Sequence, residues 1–113
     1  MGYKQNDLVD VAENSVKVLK RVRKSTSIPL IISGRVGPRG DGYIPSELMT
    51  PQESEIYHLP NIYSLKNAGV DVINMFTMTN PEEPAGIASI CSKLGIPYIV
   101  SFTLETNGVL PNG

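Results

Sequence analysis

The stretch NAGVDVINMFTMTNPEE, residues 67–83, decides how the fold is read, because it holds a helix stop, a strand and a helix start in succession. Asn67-Ala68-Gly69 places a glycine where the chain turns left-handed after a last helical turn. Asp71 to Phe76, between the helix stop and the next helix start, is expected to form the second strand. Asn80-Pro81-Glu82-Glu83 carries a capping pattern with carboxylates in the positive first turn of a helix. Ile87, Ile90, Cys91 and Leu94 follow at i, i+3, i+4 and i+7, and Gly95 closes that helix. Upstream, Thr50-Pro51-Gln52-Glu53 is a second start: Thr50 caps, Pro51 fits the first helical position and Glu53 completes a capping box. Pro60 lies inside this helix and removes a backbone bond, so a kink or break is expected near Ile56-Tyr57.

Further out, Leu8, Val11, Ala12, Ser15, Leu19 and Val22 recur at helical spacing over Asp7 to Lys24, with Asp10, Glu13, Lys17, Lys20 and Arg21 mostly on the wet side. Pro29 to Gly34 is a short continuous apolar run that suits a strand buried on both faces of a parallel sheet. Arg35 to Met49 carries Gly37, Pro38, Gly40, Gly42 and Pro45, too many breakers for a regular element. Pro97 to Thr103 is a third strand, followed by a loop from Leu104 to Gly113.

Composition narrows the function classes. A chain of 113 residues, 41% apolar and 19% charged, fits one soluble globular unit without room for a second domain. Ten Lys plus Arg against eleven Asp plus Glu leave no electrostatic footprint for a polyanion, so neither nucleic acid nor a membrane surface is an expected partner. The apolar segment Ile28 to Ile32 is far too short to cross a bilayer, and Met1 to Asp10 is not signal-like. One Cys cannot form an internal disulfide and no Asn-x-Ser/Thr acceptor occurs, so a cytoplasmic protein is expected.

Strands alternating with helices imply right-handed crossovers and a parallel sheet, an α/β fold. Three such strands leave two open edges and need cover on both faces, which three helices supply poorly. The expectation is a single segment, residues 1–113, of a larger (β/α)₈ barrel or doubly wound domain, incomplete at both ends. In either architecture ligands sit at the carboxyl ends of the strands. That location gathers Ser33 to Tyr43, Asn74 to Asn80 and Ser101 to Gly108.

On these residues the chain resembles the homocysteine S-methyltransferase family. The matching phrases are ISGRVGPRGDGY at Ile32 to Tyr43, EIYHLPNIYSLKNAGVD at Glu55 to Asp71, TMTNPEEPAGIA at Thr77 to Ala88 and VSFTLETNGVLPNG at Val100 to Gly113. The resemblance is to the middle of that family's barrel, roughly strands three to five. It implies a partial (β/α)₈ TIM barrel and a methyltransferase that passes a methyl group to a zinc-activated thiol such as homocysteine, within methionine biosynthesis. Zinc is the implied cofactor, with ligands outside this chain, since the family's cysteines lie beyond its sixth strand. The methyl donor stays open. Better-known members carry a Glu-Thr pair that helps hold the homocysteine amino group; here the pair is Phe76-Thr77. Asp41 or Glu105 is then the candidate replacement carboxylate, or the acceptor is a different thiol.

The substrate-binding candidates are Gly37, Asp41, Thr77, Ser101, Thr103 and Glu105, and no residue is a catalytic candidate. The glycine-rich loop Gly34 to Gly42 either brings N–H groups to a substrate carboxylate or merely turns tightly. Ser101 and Thr103 point to one side of the third strand, as packed hydroxyls or as substrate contacts. Glu105 meets a ligand ammonium or is a solvated loop carboxylate. Met75 and Met78 form core filler or an apolar wall for a thioether. Cys91 belongs to a buried helical stripe. His58, the one histidine, has a structural or surface role, so neither a His pair for metal nor a Ser-His-Asp set can be assembled. Alone these residues should not catalyse transfer, because a free thiol with pKa of about 8.5 stays mostly protonated. The rival expectations are a small non-catalytic α/β binding module and a barrel whose site has decayed.

Overall fold

Helices and strands alternate as the capping signals require. The computed structural model describes residues 4–44 and 48–113; Pro45, counted above among the loop breakers, lies outside them. The elements are α1 (Gln5–Lys24), β1 (Ser33–Val36), α2 (Pro51–Ala68), β2 (Val72–Met78), α3 (Glu82–Leu94) and β3 (Tyr98–Phe102). The strands form one parallel sheet in the order β1-β2-β3. The capping box is present: Thr50 Oγ1 accepts from Glu53 N at 3.3 Å while Glu53 Oε2 accepts from Thr50 N at 2.8 Å. Gly69 ends α2 at φ 95°, the left-handed turn that only glycine adopts freely. Asn80 Oδ1 accepts from Glu83 N at 2.9 Å and so caps α3 as expected.

Four local expectations are corrected. Of the strand expected over Pro29 to Gly34 only Ser33 and Gly34 belong to β1, which Arg35 and Val36, expected in the following loop, complete; ahead of it Ile32 N donates to the Asp71 side chain, Oδ2 at 2.7 Å, and the register with β2 begins at Ser33. That strand is not buried on both faces: Gly34 and Val36 are buried against the helices while Ser33 and Arg35 are exposed. Pro60 does not break α2, which runs as one helix to Ala68. The carbonyl it releases belongs to Ile56, a residue on the exposed side where water can satisfy it. In α1 the buried residues are Ala12 and Val16, whereas Val11, Leu19 and Val22 are exposed. Helix α1 meets α2 through its small side chains, and Lys20 Nζ donates to Ala68 O at 2.7 Å beside them.

The core lies between one face of the sheet and the helices. Ile73, Met75 and Met78 of β2 meet Ile62 of α2 and Ile87, Ile90 and Cys91 of α3, all essentially inaccessible. Met75 and Met78 are therefore core residues and form no wall toward a ligand. Register places Arg35 opposite Asn74 and Asn74 opposite Ile99, so these three share the other face. That face is uncovered by the described residues: Ile99 is 52% exposed and Ile31, just before β1, 76%. No helix among the described residues is long and apolar enough to cross a membrane.

Candidate functional site

The carboxyl end of the sheet is organised around a bulge. Pairing of β2 with β3 is regular from Ile73 to Met75 and resumes at Met78 opposite Phe102. Within the interruption Thr77 has φ 53°, the one described non-glycine residue in the left-handed region. That conformation costs a β-branched residue roughly 1–2 kcal/mol and persists only where neighbours enforce it. The neighbour is Gly42, from the loop after β1. A Cβ at position 42 would lie 2.9 Å from Thr77 Cβ, so only glycine fits against the threonine. From the other side Thr103 Oγ1 donates to Gly42 O at 2.6 Å. Three segments far apart in sequence are thus clamped at one point.

The remaining sequence candidates are dispersed. Asp41 Oδ1 accepts from Tyr43 N at 2.7 Å and Ile44 N at 3.1 Å, a turn that orders its own loop. Gly37 is exposed with open space around it. Glu105 is exposed in a turn, where its N–H donates to Val109 O at 2.8 Å. Ser101 follows Ile99 by two residues and by alternation lies on the uncovered face. On that face the Arg35 guanidinium sits 4.7 Å above the centre of the Phe76 ring. The loop N–H groups of Arg39, Tyr43 and Ile44 are all taken by protein carboxylates.

A polar cluster that sequence reasoning missed holds this loop in place. Glu83, 4% exposed, accepts from Arg39 N at 2.6 Å through Oε1, and the same oxygen lies 2.8 Å from His58 Nε2. Ser54 Oγ donates to Glu83 O at 2.6 Å, and Gly86 packs so closely on α2 that a Cβ would stand 2.6 Å from Ser54 Cβ. His58 is thus the buried structural histidine, not a surface one. The usable signal was its spacing: Ser54, His58 and Ile62 recur every four residues and share the face of α2 that is buried.

Two observations bear on metal. Burial pushes the Cys91 thiol up to about 11, opposite to what a metal ligand or nucleophile needs. His58 is engaged by Glu83, and among the described residues no three His, Cys, Asp or Glu side chains gather into a metal-binding group. The residues present do not fit a zinc centre.

A three-stranded parallel α/β sheet with its loops clamped at the strand carboxyl ends is the class of structure that binds small ligands there. The family described as homocysteine S-methyltransferase matches residues 1–113, and the chain belongs to that family. Among solved structures it is similar to the homocysteine methyltransferase MmuM from Escherichia coli in its apo form, with a TM-score of 0.83 and 22% identity. The likeness covers 100% of this chain and 43% of that one, so the chain spans less than half of its structural neighbour. No curated protein matches the chain.

Proposed function

We propose that residues 1–113 form an arc of a (β/α)₈ barrel in an enzyme that methylates a small thiol such as homocysteine. The observation that carries this reading is the family match over every residue of the chain. The uncovered sheet face with Ile31 and Ile99, and the two unpaired edges of the sheet, support a larger barrel around this arc.

In the proposed reaction a methyl group leaves a sulfonium or other activated donor. The donor C–S bond breaks with its electron pair retained by the donor sulfur, the acceptor sulfur forms the new C–S bond, and the thiol proton is released to solvent. The zinc with which the family activates its thiol belongs, on this reading, to cysteines outside residues 1–113. The part played by these residues is binding. The loop Gly34 to Tyr43 walls the cleft, the clamp of Thr77 and Thr103 on Gly42 fixes it, and Ser101 offers a hydroxyl to the acceptor. Gly37, Asp41 and Glu105 line the approach. A place in methionine biosynthesis and in the cytoplasm goes with this reading.

The test is methyl transfer by the full-length protein, with homocysteine as acceptor and S-adenosylmethionine or S-methylmethionine as donor, before and after treatment with a chelator. Turnover that needs metal is expected. A protein that binds homocysteine without ever methylating it is a decayed barrel or a binding module.

A further inference from the structure

The geometry points to a second ligand site, remote from the strand carboxyl ends: the groove between α1 and α2 binds a soluble oligophosphate, such as the triphosphate of a nucleotide. A hollow of about 470 Å³ lies there, lined by Lys17, Lys20, Arg21 and Lys24 of α1 and by Asn67 and Ala68 of α2. Their spacing brings the four cations onto one helical face, and from Lys17 to Lys24 the helix rises about 10 Å, the reach of a short phosphate chain. Lys20 is already committed, since its Nζ donates to Ala68 O at 2.7 Å and ties the two helices together. Lys17, Arg21 and Lys24 are exposed, and their side chains make no hydrogen bond or ion pair among the described residues. Among the described residues that line the groove, Glu13 is the one carboxylate.

The rest of a larger barrel leaves this groove open. The exposed apolar residues Val11, Val18, Leu19 and Val22 mark where further structure packs on α1, and at about 100° per residue they centre roughly 150° round the helix from the cations. The groove also lies at the other end of the layer from the thiol site, because Lys24 and Ala68 end their helices and β1 and β2 begin after them.

The occupant follows from the lining. Lysine ammonium groups act as point charges suited to phosphate, and the Arg21 guanidinium adds a fork of donors. No aromatic side chain among the described lining residues offers a platform for a base, so the phosphates are what is recognised. A concave groove with no apolar side chain beyond Ala68 suits a soluble anion better than a flat lipid surface. With ten Lys plus Arg against eleven Asp plus Glu over the whole chain, the positive footprint is local and too short for a nucleic-acid backbone.

The test is calorimetric titration of the full-length protein, in magnesium-free buffer, with inorganic tripolyphosphate, pyrophosphate and orthophosphate, and with ATP and adenosine. Affinity is expected to rise with the number of phosphates, ATP to bind as tripolyphosphate does, and adenosine not to bind. The variant carrying Lys17→Gln, Arg21→Gln and Lys24→Gln, with urea unfolding reporting that its fold is kept, binds tripolyphosphate at least ~10-fold more weakly. Glu13→Gln, which removes the opposing carboxylate, tightens binding about two- to fourfold, and Lys93→Gln, on α3, leaves it unchanged. Tripolyphosphate affinity that survives the triple variant, or falls as far in Lys93→Gln, overturns the site. Capture of the protein by phosphatidic acid vesicles, or binding of polyglutamate, without binding of tripolyphosphate overturns it as well. None of these readouts needs methyl transfer, so the site stands or falls apart from the reaction.

Discussion

Replacing Glu83 with Ala attacks the contact on which the site loop depends. One carboxylate oxygen accepts the Arg39 N–H at 2.6 Å and lies 2.8 Å from His58 Nε2, in a side chain almost wholly removed from water. Removing the carboxylate leaves the Arg39 N–H and the His58 ring nitrogen without their partner and costs about 2–4 kcal/mol, beyond the ~1 kcal/mol of an ordinary hydrogen bond. Glu83→Gln keeps an oxygen that can accept from Arg39 N, so its cost is smaller, roughly 1–2 kcal/mol. Urea unfolding of the full-length protein reads both values, and hydrogen exchange locates them. The Arg39 amide exchanges faster in Glu83→Ala and stays protected in Glu83→Gln. A loss under about 1 kcal/mol in Glu83→Ala, with Arg39 still protected, refutes the reasoning.

Other perturbations separate the remaining contacts. Thr103→Val removes the hydroxyl that holds Gly42 O and costs about 1 kcal/mol, seen as faster exchange in the loop around Gly42. Gly42→Ala drives a methyl group into Thr77 and destabilises by about 1–3 kcal/mol, an effect that Thr77→Gly in the same chain relieves in a double-mutant cycle. Hydrogen bonds to Thr50 hold the Glu53 carboxyl below its ordinary value, and Lys93 does the same for Glu55. Because the folded values are depressed, their stabilisation is present above the ordinary carboxyl range and is lost as pH falls through the folded values. Between about pH 5 and 3 wild type therefore loses stability more steeply than Glu53→Gln in denaturant titrations. With its thiol raised to about 11, Cys91 reacts with iodoacetamide at pH 8 at least ~100-fold more slowly in the native protein than in urea.

How much of this was legible in the sequence follows from whether the cause is local. The capping box at Thr50, the glycine stops at Gly69 and Gly95 and the carboxylates opening α3 act within one turn, so composition and spacing show them. The α/β class then follows from their order. The limits of β1 depend on Asp71, a residue of another segment that takes the Ile32 N–H, and no local pattern reports that. The stripe of α1 was misassigned for a similar reason: its spacing suits several faces, and contact with α2 chooses the one with Ala12 and Val16.

That Thr77 and Thr103 come together was readable because parallel strands gather their carboxyl ends at one edge of the sheet, where both meet Gly42. The left-handed backbone of Thr77 was not, since a β-branched residue predicts extended structure and only its contact with Gly42 enforces the exception. Glu83 looked like a first-turn carboxylate facing the helix dipole. Its burial arises from α2 packing across α3, where Gly86 permits the close approach.

The most direct measurement is a crystal structure of the full-length protein soaked with 3-mercaptopropionate. The account predicts that the outer edges of β1 and β3 each pair with a further parallel strand, and that the thiol lies at the strand carboxyl ends beside Thr77. A sheet that keeps three strands, or a thiol bound away from those strand ends, contradicts it.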